Sequence, residues 1–200
     1  ADFKLDSPMP SDESAVAVAT SPTRALSEAA LRAVATTWSV AFPTAPGRDR
    51  FAEAVRRRDA PPTDALSDEY VHGVFDADGA CLAACRTFIR VLRVDGEPRR
   101  VLALAHVATA PAARGRGYGA AIVRSAFERL GSDGLVESIF CTGIPDFYLK
   151  LGASTLPATL RLEYPDGAKP FHDSTLLRYA LDSAAPIPPT AVIAVNGDGW

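Results

Sequence analysis

Arg114-Gly115-Arg116-Gly117-Tyr118-Gly119, set between the apolar stretch Val101 to Thr109 and a helix-like run to Leu130, decides how this chain is read. Glycine at three of these six positions lets the backbone turn tightly and approach a ligand closely. Successive N–H groups and the first turn of the following helix can then converge on one anion. The stretch therefore reads as a phosphate cradle, with Arg114 and Arg116 adding fixed positive charge.

Downstream, Ile122, Val123, Ala126, Phe127 and Leu130 keep helical spacing, and Gly131 is placed to stop the helix. Leu135 to Cys141 is the next extended run, and a helical crossover makes it parallel to the strand before the cradle. Pro145 can open a short helix ending at Gly152. Leu160 to Tyr164 and Ser174 to Leu181 flank a Pro-Asp-Gly turn and read as a hairpin, and the tail from Ala185 to Trp200 should pack on the domain.

Upstream, Tyr70 to Phe75 and Ala80 to Val94 alternate as strands around the turn Asp76-Ala77-Asp78-Gly79, and Arg100 to Thr109 completes a three-strand meander. Two helices precede it. The first is capped by Ser21-Pro22 and stopped by Pro43; the second, Arg48 to Arg58, ends in three arginines read as a solvated end suited to the helix dipole. Ala15 to Thr20 gives one more strand, and residues 1 to 14 a loose polar arm.

Two hundred residues suit one domain, here 15 to 200. With 48% hydrophobic and 22% charged residues and a net charge of −3, no broad basic surface for nucleic acid is expected. No run reaches membrane-spanning length, and no signal-peptide core shows near the start. Three cysteines, Cys81, Cys85 and Cys141, fit a reducing cytoplasm better than a disulfide framework. Cys81 and Cys85 should share a strand face as core residues, and no metal-ligand spacing accompanies them.

The order strand, two helices, meander, glycine loop, helix, strand, short helix and hairpin resembles the GCN5-related N-acetyltransferase (GNAT) superfamily over nearly the whole chain. Arg114, Gly117 and Gly119 meet that family's acetyl-CoA signature. About 30 residues on, Pro145-Asp146-Phe147-Tyr148-Leu149-Lys150-Leu151-Gly152 is similar to its Phe-Tyr-x-Lys-Leu-Gly helix, and the final Gly-Asp-Gly-Trp to the end of some bacterial members. The resemblance implies an α/β fold: a mixed, mostly antiparallel sheet of about seven strands, flanked by about four helices, with a splayed parallel pair at the cofactor site. It also implies an N-acetyltransferase that uses acetyl-CoA as cosubstrate and an amine acceptor, and it allows a homodimer.

Carried onto this chain, the resemblance gives the pyrophosphate to Arg114, Gly115, Arg116, Gly117, Tyr118 and Gly119. It gives the pantetheine arm to the backbone of Val107, Ala108 and Thr109, with Phe147 beside them. The acetyl carbonyl falls to a backbone N–H near Val107, and Tyr148 becomes the general acid for the departing thiolate. The base is missing: the family's positions fall on Ala105, Ala103 and Val101. His106 is out of phase and should face away unless a bulge intervenes. His72 and His172 have no supporting motif, so a water relay or an amine that arrives deprotonated stays open. Glu137 is read as facing solvent and Cys141 as a small apolar residue. Trp38, Phe42, Phe51, Phe171 and His172, with Asp166 and Asp173, would surround the acceptor.

Two other readings remain. Gly115-x-Gly117-x-x-Ala120, with Glu137 twenty residues after Gly117, also fits a dinucleotide fingerprint, although a meander precedes it where a parallel unit should stand. A domain of the same fold that binds an acyl-CoA as a sensor or holds a partner protein fits the absent base.

Overall fold

The computed structural model describes residues 17–43, 49–60, 69–164, 167–170 and 175–196. In chain order these form β1 (Ala19–Pro22), α1 (Glu28–Ala41), α2 (Arg50–Asp59), β2 (Tyr70–Phe75), β3 (Cys81–Val94) and β4 (Glu97–Thr109). Then follow α3 (Tyr118–Phe127), β5 (Glu137–Thr142), α4 (Pro145–Leu149), β6 (Ser154–Thr155), β7 (Thr159–Tyr164), β8 (Gly167–Pro170), β9 (Thr175–Ala180) and β10 (Val192–Asn196). The strands make one mixed sheet in the order β6-β9-β5-β4-β3-β10-β7-β8, with β2 and then β1 added along β3. Ten strands replace the expected seven because β6, β8 and the tail strand β10 are short additions.

The meander forms where the turn chemistry put it. Asp76 Oδ1 accepts from the N–H groups of Asp78 (3.0 Å) and Ala80 (2.8 Å), and Gly79 takes φ +83° to close the turn. The fourteen-residue β3 lies along β4 on one edge and divides its other edge. Its first half pairs with β2 and its end with β10, so neither half is left as an open template.

α1 covers one face, setting Val34 and Trp38 against Val71, Cys81, Ala84 and Ala108. α3 covers the other, with Ile122, Val123, Ala126 and Phe127 against Ala83, Cys85, Leu104 and Phe140. Cys81 and Cys85 thus belong to opposite faces. The register steps from Val74↔Ala83 to Phe75↔Cys81, and the extra residue, Leu82, reverses the alternation between the two cysteines.

Several boundaries differ from expectation for visible reasons. Ser21 and Pro22 are paired to Val71 and Tyr70 in the sheet, a place an edge-strand proline tolerates. α1 is instead capped by Ser27, whose Oγ accepts from Ala30 N at 3.2 Å. α2 starts after Asp49, which accepts from Phe51 N at 2.8 Å. α3 ends at Phe127, and tight turns carry the chain to Gly131, whose φ of +93° is the left-handed conformation expected past a helix end.

The hairpin expected between residues 160–164 and 174–181 does not form. β7 turns back into β8 at Tyr164↔Gly167, while β9 leaves to lie antiparallel on β5. Burial explains the division. β7 alternates buried and exposed residues, as suits a strand covered on one side, whereas β9 buries the consecutive Leu176 and Leu177 and needs cover on both. The tail does pack: Ile193 and Val195 of β10 are fully buried, and β10 runs parallel to β7. The terminal Gly-Asp-Gly-Trp and the N-terminal arm lie outside the described residues.

Candidate active site

β4 and β5 are parallel and pair at Leu102↔Ser138, then part. Into the gap opens a cavity of about 540 Å³, lined by Leu104, Ala105, His106 and Val107 of β4, Phe140 to Ile144 on the β5 side, Tyr148 of α4, and Phe42 and Arg50. β4 is bulged here. Arg86↔Ala105 is followed by Ala84↔Ala108, so two residues, His106 and Val107, stand opposite the single residue Cys85. His106 takes φ +53°. The bulge turns its ring to the α1 side, against Trp38 and Phe42 at 5.1 and 5.7 Å between centroids, while Val107 packs toward α3. The condition under which His106 would leave its strand phase is therefore met, and the ring lines the cavity. Ala105 is buried.

Beyond Thr109 the chain passes through a short 3-10 turn, Pro111–Ala113, into the glycine loop. Gly115 and Gly117 have φ of +75° and +78°, and Gly117 caps α3 with no side chain over the helix end. The first hydrogen bond of the helix is Ala121 N to Gly117 O at 3.0 Å, so the N–H groups of the preceding turn have no acceptor within the helix. They border a second cleft of about 300 Å³, lined by Thr109, Ala113, Arg114, Gly115, Gly117 to Ala120 and Phe147. A Cβ on Gly119 would stand 3.2 Å from Thr109 Oγ1 and 3.6 Å from the Phe147 ring, so glycine lets this helix start sit close against β4 and α4, where a larger residue would have to push the Thr109 hydroxyl aside. Of the expected cofactor residues, Arg116 of the cradle is exposed and outside the cleft lining, and Ala108, expected to use its backbone, turns its side chain into the core below α1.

α4 joins the two cavities. Its neighbouring residues Phe147 and Tyr148 line one each, with ring centroids 4.8 Å apart and nearly perpendicular. Gly152 ends the segment with φ +93°, and its N–H bonds Leu149 O at 3.1 Å. Tyr148 is buried against Phe140. Burial lifts its phenol well above the usual tyrosine value, the neighbouring Cys85 adds to this, and the Thr142 hydroxyl opposes it.

A polar chain that sequence reasoning missed reaches the first cavity from behind. Glu69, buried just before β2, accepts from Arg86 Nη1 at 2.7 Å and from the Thr23 hydroxyl at 3.1 Å, with Arg57 Nε 3.5 Å away. Arg57 is thus half-buried in an ion pair, not a solvated helix end. Arg86 Nε in turn donates to His106 Nδ1 at 3.0 Å, and Arg50 Nη1 lies 3.1 Å from His106 Nε2. Burial first, then the guanidiniums of Arg86, Arg50 and Arg57, lower the His106 pKa to about 3, so the ring is neutral at pH 7. Its Nδ1 lone pair is engaged by Arg86, which makes His106 unfit to take a proton from a substrate. The sequence signal was present only as two arginines of α2 and one of β3, each well separated in the chain from His106.

Other expectations resolve as follows. Glu137 does not face solvent: it is fully buried, held by Arg99 Nε and by Arg178 Nε at 2.6 Å. That also removes it from any ribose-binding role, and the antiparallel meander before the loop does not match a dinucleotide unit. Cys141 lines the cavity, half-buried. Trp38 is core, donating through Nε1 to Ala84 O at 3.3 Å, and Phe51 lies under the Arg32 guanidinium. His72 is buried between the hydroxyls of Thr20, Ser125 and Thr87, away from either cavity. Phe171, His172, Asp166 and Asp173 lie outside the described residues.

Several solved structures share this fold. A GNAT family N-acetyltransferase (YhbS) from Escherichia coli in complex with CoA superposes with a TM-score of 0.58 at 16% identity, over 90% of this chain and 88% of that one. A GNAT family acetyltransferase from Brucella melitensis in complex with acetyl-CoA gives 0.55 at 16% identity, over 90% and 96%. A GCN5-related N-acetyltransferase from Kribbella flavida gives 0.55 at 20% identity over 70% of this chain, which spans only 33% of that longer protein. No curated protein sequence matches the chain. The acetyltransferase (GNAT) domain model matches residues 22–156, from the end of β1 through both cavities, and the chain belongs to that family.

Proposed function

We propose that the chain is a cytoplasmic acyltransferase that moves an acetyl group from acetyl-CoA directly to the amine of a small acceptor. One observation carries this reading: the cradle at the start of α3 and the cavity between β4 and β5 lie end to end along β4, with Phe147 in one and Tyr148 in the other. A ligand with an anionic end and a reactive end some way off is what such a pair of clefts accommodates. The cradle N–H groups and Arg114 suit a pyrophosphate. The edge of β4 from Val107 to Thr109 suits an extended amide-bearing arm. The bulge leaves His106 and Val107 out of register with β3, freeing backbone there to face an acyl oxygen.

In the reaction the unprotonated amine attacks the thioester carbon, the C–S bond breaks, and the proton lost by nitrogen ends on sulfur. Tyr148 is protonated at neutral pH and lines the cavity. Its raised pKa makes full transfer to a thiolate, whose conjugate acid titrates near about 8.5, uphill. Its contribution is therefore a hydrogen bond that stabilises the departing sulfur while the proton arrives. Among the described residues of the cavity no side chain is suited to act as base, so the amine enters deprotonated or loses its proton through water. The same lack favours a second reading, an acyl-CoA sensor that does not turn over.

Isothermal titration with acetyl-CoA, run beside NADH and repeated with Arg114→Glu and Gly117→Trp, tests the cofactor reading. Micromolar binding of acetyl-CoA that both variants lose is the expected result; no binding in the unaltered protein overturns it. Amine-dependent release of free thiol separates the transferase from the sensor.

A further inference from the structure

We infer that the acceptor carries a carboxylate, received by Arg50 and His106 at the α1 side of the cavity between β4 and β5. The inference rests on the reading of that cavity as the transfer site. Arg50 is the one charged side chain among the described residues that line it, and no described carboxylate shares the wall.

The argument begins with the protons on His106. Arg86 Nε donates to Nδ1, so the lone pair of the neutral ring is on Nδ1 and its hydrogen on Nε2. Arg50 Nη1, also a donor, stands 3.1 Å from that Nε2. A guanidinium cannot accept and a neutral imidazole has one lone pair, so the ring that accepts from Arg86 meets Arg50 with an N–H, and the two arginines cannot both be satisfied by it. Arg50 has other gaps as well. Its Nη2 donates to Phe42 O at 3.2 Å and its Nη1 is 3.7 Å from a Glu53 carboxylate oxygen, but its buried Nε has no partner.

Unpaired buried donors are costly, and ion-assisted hydrogen bonds are the strong way to satisfy them. A carboxylate at this corner accepts from His106 Nε2 and from Arg50 together, and the neutral ring adds no competing charge. The planar group matches a guanidinium. Phe42 and Leu104 supply apolar wall beside it for the rest of a small amine. An amine with a simple apolar body leaves both donors unmet.

The test uses the whole chain and matched acceptors: the common amino acids, each beside its primary amide, assayed by thiol release with acetyl-CoA. The free acids should exceed their amides in kcat/KM by about tenfold or more, the scale of a charge-assisted contact. Arg50→Gln should bring the pair within about threefold of each other, chiefly by raising KM for the acid, and Arg50→Lys should keep part of the preference. Acetyl-CoA affinity, measured by titration, should be unchanged in both variants, which also reports that they are folded. Amides used as well as acids, or a preference that survives Arg50→Gln, overturns the inference. So does the absence of turnover with every acid while acetyl-CoA still binds, an outcome that leaves the cofactor reading intact. Absence of acetyl-CoA binding instead sinks the reading on which the inference rests.

Discussion

Glu137 and Glu69 are both buried, and both lie between two arginines, yet the two clusters do different work. At Glu137 the arginines turn their remaining donors to a common acceptor: Arg99 and Arg178 both bond the carbonyl of Ala185. Charges and hydrogen bonds close on themselves, and the cluster ties β4, β5 and β9 to the start of the tail. At Glu69 the closure is incomplete. Arg86 spends one donor on the carboxylate and the next on His106, while the Nε atoms of Arg57 and Arg50 have no hydrogen-bond partner. A closed triad is a staple, whereas an open one passes orientation from a buried carboxylate to an imidazole on a cavity wall.

The largest effect expected from this contrast is on stability. Glu137→Gln leaves two half-buried arginines around a neutral, fully buried amide and should cost about 3 kcal/mol. In a chain of this size that is a fall of roughly 10 °C in Tm. The affinity for acetyl-CoA should not change. A loss of activity at unchanged Tm would break the contrast outright.

Glu69→Gln should cost less stability, about 2 kcal/mol, because its cluster holds fewer closed contacts. It should also lower kcat/KM by about tenfold as Arg86 loses its anchor and His106 its fixed tautomer. A titration of the His106 ring resonances reads the same link independently: the midpoint should lie near pH 3 in the unaltered protein and rise in Arg86→Met, while burial and the remaining arginines still hold it below the free value.

Tyr148→Phe lies outside both clusters and calibrates them. It should lower kcat by about 10- to 100-fold at nearly constant KM, with little change in Tm, since a hydroxyl and not a ring is removed.

The smallest effect is a slope. Burial lowers the pKa of His72 to about 4, and burial with three arginines lowers that of His106 to about 3. Both start from 6.5 in the unfolded chain, so between pH 6.5 and these values the unfolded state binds the extra protons. The stabilisation is complete above pH 6.5 and is lost as pH falls toward 4 and 3. Each histidine adds about 1.4 kcal/mol per pH unit in that window. Denaturant titrations from pH 7 to 4 should show His72→Asn and His106→Gln each flattening the slope by that amount, whereas Glu137→Gln shifts the curve without removing the histidine part.

What could be read in the sequence was what neighbours along the chain decide. The meander followed from Asp76 to Gly79, the cradle from its glycines, and α4 from Pro145 and Gly152. Each depends on local backbone chemistry. The parallel crossing to β5 followed from handedness and length. What could not be read was decided across the chain. One inserted residue, Leu82, sends Cys81 and Cys85 to opposite faces, and one bulge turns His106 onto the cavity; neither leaves a mark in composition or period. β9 abandoned the nearby turn because two consecutive leucines needed cover on both sides. The arginine partners of Glu69 and Glu137 come from four separate elements, so Glu137 in its strand looked like any solvated charge.

β10 carries one more consequence, in the order of assembly. β7 and β8 pair with each other, and among the described residues they meet the rest of the sheet only through β10, which lies between β7 and β3. As the chain leaves the ribosome, β7 and β8 appear well before the strand that docks them. Until residues 192 to 196 are made, that pair has no seat on the sheet, and the outer end of β3 has an open edge. The last contacts to form are therefore long-range and slow, antiparallel to β3 and parallel to β7, while the two cavities, lined by residues that come earlier, can be in place beforehand.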